Sequence, residues 1–100
     1  MEVNINARHG ELTEDIQAAM SEKANKLTRF LDKISGVQVI AEMEHAEPKV
    51  EIIVHAEHAN DFFASDIGTN VVVAFDKSIA KIEQQLRKHK EKLTEHRERH

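Results

Sequence analysis

Lys77, Lys81, Lys88 and Lys92 recur at spacings of four, seven and four residues. At 100° per residue they fall within a sector of about 60° on one helix, a line about 22 Å long. Protonated ammonium groups in a row neither attack substrates nor ligate metals. They attract a polyanion, and four to eight neutralised phosphates would supply sequence-independent, salt-sensitive affinity. Gln84 and Gln85 bridge the gap in the line, Arg87 and Lys90 flank it, and the acids Glu83 and Glu91 fall outside it. Lysines four apart repel and weaken an isolated helix by about 0.2–0.5 kcal/mol. A face built only for solubility would intersperse the two signs, and that is the competing reading of the row.

The charge of the whole chain follows the same division. Lys77 to His100 holds eight Lys/Arg against four Asp/Glu, whereas Met1 to Asp76 holds six against fourteen, so an acidic body of net −8 ends in a basic segment of net +4. The overall net charge of −4 hides this asymmetry, which points to nucleic acid. The chain has no Tyr or Trp and only four Phe, so a surface that stacks single-stranded bases on aromatics has few candidates. Recognition through the phosphate backbone is favoured.

Other chemistry finds less support. Among seven histidines, His45, His55 and His58 could approach one ion. Strand alternation, however, sends His55 outward, and no acidic-His helical pair accompanies them, so no metal is expected. The absence of cysteine removes disulfides and thiolate sites. Ser65-Asp66 belongs to no recognisable nucleophile motif, and the isolated Gly10, Gly36 and Gly68 cannot form a phosphate-cradling loop. The reading is therefore of a binding protein, not an enzyme, without cofactor or small-molecule substrate. The longest apolar run, Val71 to Phe75, is five residues against the roughly 20 that span a bilayer, and Met1-Glu2-Val3-Asn4 does not open a signal peptide. A cytoplasmic location with no membrane partner is expected.

These residues need a scaffold, and the hydrophobic pattern supplies one. Val3, Ile5 and Ala7 alternate with Asn4, Asn6 and Arg8 as a half-buried strand. Thr13 can cap a helix whose first turn holds Glu14 and Asp15 and whose apolar face runs Ile16, Met20, Leu27 and Leu31, ending near Lys33 to Gly36. Val37, Val39, Ala41 and Met43 alternate again, the turn at His45 to Lys49 contains the only proline, and Val50, Ile52, Val54 and Ala56 follow as a third strand. His58 to Asp61 reads as a hairpin turn into a short strand, Phe62 to Ser65. Val71 to Phe75 taken alone has strand propensity, but Val72, Phe75, Ile79, Ile82, Leu86, His89 and Leu93 continue a 3,4 stripe, which predicts one helix from about Asn70 to Leu93. The fold class is α+β, ordered β-α-β-β-β-α, with a four-stranded sheet carrying both helices on one face. The other face should be open and acidic. One domain over residues 1–95 and a short disordered tail at 96–100 are expected.

Asn4-Ile5, Leu12-Thr13-Glu14, Lys23, Lys26-Leu27, Phe30, Asp32, Ile34, Val37, Ala64-Ser65, Gly68, Ala74, Asp76, Ile79, Lys81 and the run Gln85 to Leu93 carry a resemblance nearly end to end. The sequence resembles the ribosome hibernation promoting factor and ribosome-associated inhibitor family, in its short type. Its most specific piece is the Gln-Leu-x-Lys-His-Lys-x-Lys-Leu stretch. The resemblance implies a fold similar to double-stranded RNA-binding domains and binding to the small ribosomal subunit and its rRNA, in the channel used by mRNA and tRNA. It further implies silencing of translation in starved or stationary cells, by a chain expected to be monomeric off the ribosome. The RNA-binding residues would be Lys23, Lys26, Arg29 and Lys33 on the first helix and Lys77, Lys81, Arg87, Lys88, His89, Lys90 and Lys92 on the last. Val72 stands where the family usually has a tyrosine, Gln84 where an arginine is usual, and Ile67 where an acid is common. The alternative is a protein-interaction module using the exposed sheet face, with Ile40 and Ile53 outward by phase.

Overall fold

The computed structural model describes residues 1–98, with side chains through Lys92. Its elements are β1 (Glu2–Arg8), α1 (Glu14–Asn25), a 3-10 turn (Lys26–Arg29), β2 (Ile34–Glu42), β3 (Lys49–Ala56), β4 (Phe62–Ile67) and α2 (Val71–Glu98). The predicted β-α-β-β-β-α order is the one found. The four strands form one sheet in the order β1-β2-β3-β4. β1 and β2 are parallel and joined by α1, as a parallel pair requires a crossover. The remaining neighbours are antiparallel. Both edges of the sheet are therefore a single strand wide, β1 on one side and β4 on the other.

The core lies between the sheet and the two helices. Val37, Val39, Ala41, Val50, Ile52, Val54 and Ala64 from alternating strand positions meet Met20, Ala24 and Leu27 of the first helical segment and Val71, Ala74, Phe75, Ile79, Ile82 and Leu86 of α2. Phe75, Met20, Leu27, Ile52, Ile82 and Leu86 are among the largest fully buried side chains. Each contributes about 1.5–3 kcal/mol through removal from water. Among the described residues Ser78 is the buried polar one, and its Oγ lies 2.8 Å from the Val50 carbonyl oxygen and 2.9 Å from that of Ala74, so its hydroxyl proton always has an acceptor.

Caps set the helix starts. Thr13 Oγ1 accepts from the Ile16 N–H at 3.2 Å, and Asn70 Oδ1 accepts from the Val73 N–H at 3.0 Å. Gly68 lets β4 turn tightly into α2, because a Cβ there would stand 2.6 Å from the Ala74 nitrogen and 2.9 Å from Val73 Cγ1.

Four local expectations are corrected. The first helix ends at Asn25 rather than near Lys33. Asn25 Nδ2 donates to the Ser21 carbonyl and Thr28 Oγ1 to the Asn25 carbonyl, side-chain bonds that compete with α-helical continuation and tighten the chain into the 3-10 turn. β2 begins at Ile34, not Val37, because burying Ile34 draws the chain into the sheet, with a bulge between Ile34 and Gly36. β4 runs on to Ile67. Finally, the buried stripe of α2 starts at Val71 and leaves Val72 43% exposed, since the helix presses a band containing Val71, Ala74 and Ser78 against the sheet. α2 itself continues to Glu98. Leu93 and the tail expected at 96–100 lie outside the residues whose side chains are described, and 99–100 outside the described residues altogether.

Candidate nucleic-acid interface

The lysine line of α2 does not point uniformly away from the protein. Its amino-terminal half leans over the outer edge of β4. Lys77 Nζ donates to the Ile67 carbonyl at 3.2 Å, Lys81 Nζ to the Ser65 carbonyl at 3.1 Å, and Gln85 Nε2 to the Phe63 carbonyl at 2.8 Å. Positions i, i+4 and i+8 of the helix thus meet every second residue of an antiparallel strand. The match is metrical: four helical residues rise about 6.0 Å and two strand residues about 6.8 Å. Lys81 also pairs with Asp66 Oδ2 at 3.1 Å. The Asp66 carboxyl sits below its ordinary value because the Ile67 N–H donates to it at 2.8 Å, and Lys81 adds to the effect. The row continues to His89, half-buried, whose ring packs edge-on against Phe62 with centroids 5.4 Å apart.

Beyond Gln85 the cations are differently placed. Lys88 and Lys92 are exposed and make no ion pair or hydrogen bond among the described residues. Arg87 lays its guanidinium over the ring of Phe30, 5.4 Å from the centroid, which ties α2 to the segment just after Arg29. Lys90 is exposed on the same half of the helix.

The first helical segment contributes unevenly. Lys23 Nζ bridges to Asp76 Oδ1 of α2 at 2.6 Å, and Lys26 lies 3.6 Å from Glu22 in an i,i+4 pair. Because the α-helix stops at Asn25, Lys26 and Arg29 lie on the 3-10 turn and Lys33 in the loop after it, so of the four residues expected on the first helix only Lys23 is on it. Arg29 and Lys33 are exposed and unpaired among the described residues. The packing of Arg87 on Phe30 brings this end of the first segment against the carboxy-terminal half of α2. Of the eleven candidates, Lys23, Lys26, Lys77 and Lys81 are tethered, Arg29, Lys33, Lys88 and Lys92 form an open set, Arg87 joins α2 to the segment after the 3-10 turn, His89 packs on Phe62, and Lys90 is exposed.

The outer sheet face is mixed in charge rather than acidic. Adjacent positions across it run Arg8, Glu42, Lys49, Ile67 in one row, Asn6, Ile40, Glu51, Ser65 in the next, and Asn4, Gln38, Ile53, Phe63 in the third. Ile40 and Ile53 do lie on this face, half-buried, while Phe63 and Ile67 are 53% and 47% exposed. The sequence pattern singles out neither of the last two; ending β4 at Ser65 leaves Ile67 outside the strand, whereas Phe63 lies within it.

His55 pairs with Asp61 at 3.0 Å rather than converging with His45 and His58 on an ion. Among the described residues one set of possible ligand atoms does converge, on His9, Glu42 and Glu44. His9 Nδ1 lies 2.7 Å from Glu42 Oε1 and 3.8 Å from Glu44 Oε2, so the groups satisfy one another. The hydrogen bond from His9 is the main reason the Glu42 carboxyl lies below its ordinary value. No helix among the described residues is long and apolar enough to cross a membrane.

This fold recurs in solved structures. The Thermus thermophilus Protein Y N-terminal domain superposes with a TM-score of 0.80 over 89% of this chain and 99% of its own, at 19% identity. A ribosomal subunit interface protein from Coxiella burnetii superposes with a TM-score of 0.78 over 90% of this chain and 98% of its own, also at 19% identity. In sequence, the chain is 35% identical over 101 aligned positions to a ribosome hibernation promoting factor of Pseudomonas putida, covering 92% of this chain and 89% of the relative. It is 31% identical over 96 positions to the factor of that name from Escherichia coli, covering 96% of this chain and all of the relative. Residues 3–94, which reach from β1 into α2, match the model of one family. With the element order, the phase of the basic helix and these relatives in agreement, the chain belongs to the Sigma 54 modulation protein / S30EA ribosomal protein family.

Proposed function

We propose that this chain is a ribosome hibernation factor that binds the small ribosomal subunit through rRNA phosphates, in the channel used by mRNA and tRNA, and silences translation in starved or stationary cells. The relatives' names support the ribosome as partner. The observation that carries the reading is the open cation set: Arg29, Lys33, Lys88 and Lys92 are exposed without a partner among the described residues, and Arg87 packs on Phe30 between them. Unpaired cations are the ones a phosphate can take without first displacing a protein acceptor. Lys23, Lys26, Lys77 and Lys81 add to the local positive field but must exchange existing bonds to reach RNA. His89, packed on Phe62, would act at the margin of this surface, beside Lys90. The factor works by occupying space and not by catalysis, in the cytoplasm, and residues 1–95 act as one unit that is monomeric off the ribosome.

The test is co-sedimentation with small ribosomal subunits. At about 50 mM salt the chain should pellet with the subunits, and four phosphate contacts should cost roughly two orders of magnitude in affinity by 200 mM. Lys88→Glu with Arg87→Glu should weaken binding and flatten the salt dependence. Association indifferent to both salt and these substitutions would rule the reading out.

A further inference from the structure

The row Lys77, Lys81, Gln85 does something beyond contributing charge. β4 is an edge strand, and edge strands present unpaired carbonyls and amides that template association with another strand. The outward carbonyls of β4 are those of Phe63, Ser65 and Ile67, and each accepts a side-chain donor from α2, at 2.8, 3.1 and 3.2 Å respectively. The outward amide of Ile67 is likewise taken, by Asp66 Oδ1 at 2.8 Å. All three acceptors and one donor of the edge are thus held by the chain's own side chains.

What the edge would otherwise accept can be read from its sequence. An antiparallel pairing of β4 with itself about Ser65 puts Ser65 opposite Ser65 and Phe63 opposite Ile67, twice. Each of these positions has its amide and carbonyl on the outward side, so all would be hydrogen-bonded pairs. The exposed Phe63 and Ile67 share the outer sheet face with Ile53 beside them, so the same pairing would bring two Phe–Ile contacts together across the twofold axis. Residues Phe62–Ile67 are self-complementary in both backbone and side chains.

We propose that β4 is a latent self-association strand for a second copy of this chain, and that Lys77, Lys81 and Gln85 form the latch that keeps it closed. This goes beyond ribosome binding and does not depend on it. The latch consists of side-chain donors on a rigid helix and not of a covering element. Removing the donors therefore opens the edge without removing any core residue.

The experiment is sedimentation velocity and light scattering across protein concentration, with far-UV circular dichroism to verify folding. The wild-type chain should stay monomeric. The Lys77→Ala, Lys81→Ala, Gln85→Ala variant should become dimeric at a concentration at least 10-fold lower than any at which the wild type associates. Adding Ser65→Pro removes the amide at the twofold, where proline is tolerated on an edge strand, and should restore the monomer. If the triple variant fails to fold, Lys81→Met alone, which keeps the methylene stem, carries the same test. A folded variant that stays monomeric overturns the proposal, and so does a dimer that survives Ser65→Pro.

Discussion

The two halves of α2 carry lysines on the same sector and put them to different tasks. From Val71 to Gln85 the helix presses Val71, Ala74, Phe75, Ser78, Ile79 and Ile82 into the core and spends its flanking polar side chains on β4. The strand runs out at Phe62, which faces His89, while the helix continues to Glu98. Past that point no edge carbonyl remains for a lysine to meet, and Lys88 and Lys92 stand exposed. Identical ammonium groups on the same sector of one helix thus become structural in one half and available in the other. The difference lies entirely in whether a strand runs alongside. A line of like charges on a helical wheel is therefore not evidence of a uniform binding surface.

Substitutions can break or sharpen this contrast, and the largest effect is expected in the core of the amino-terminal half. Phe75→Ala should cost about 3–5 kcal/mol in urea denaturation, while molecules that remain folded keep their salt-sensitive ribosome binding. In the open half, reversing Arg87, Lys88 and Lys92 together to Glu should lower affinity for small subunits by two or more orders of magnitude, with the slope of log affinity against log salt falling by about one per lost phosphate contact. Its effect on stability should stay within about 0.5 kcal/mol at each of Lys88 and Lys92, and reach about 0.5–1 kcal/mol at Arg87, which loses its contact with Phe30. Equal losses of binding from Lys77→Glu with Lys81→Glu would erase the distinction between the halves. Ser78→Ala, which removes the donor to Val50, should cost about 1 kcal/mol without touching binding.

The smallest effect is on pH dependence. Because the folded-state carboxyl of Asp66 lies below its ordinary value of 3.8, its contribution is fully present above that value and is lost as pH falls through the folded-state value. Asp66→Asn should therefore make stability below about pH 4 less sensitive to acid than in the wild type, measured by thermal denaturation at stepped pH. An unchanged acid limb would show that the Ile67 and Lys81 contacts to this carboxylate are not maintained in solution.

Some of this was legible in the residues. Alternation in Val3 to Ala7, Val37 to Ala41 and Val50 to Val54 marked the inward faces correctly, and the 3,4 recurrence from Phe75 to Leu86 overrode the strand propensity of the three valines. Where the structure departs from these expectations, interactions outside the periodic pattern are the cause. Nothing in the period of Leu27 and Leu31 reveals that Asn25 and Thr28 will satisfy the backbone through their side chains and end the helix. Val72 and Val71 are both plausible stripe members, and only the position of the sheet chooses Val71.

The sequence by itself determined the α+β order, the inward faces and the segregation of positive charge to the last helix, because periodicity and composition are properties of the chain alone. Tertiary structure decided which of those charges are open. Lys77, Lys81 and Gln85 lie close to β4 only because that strand closes the sheet antiparallel to β3 and beneath α2. A hydrogen bond between a helix side chain and a strand carbonyl depends on distances near 3 Å, which the spacing of residues along one element cannot specify.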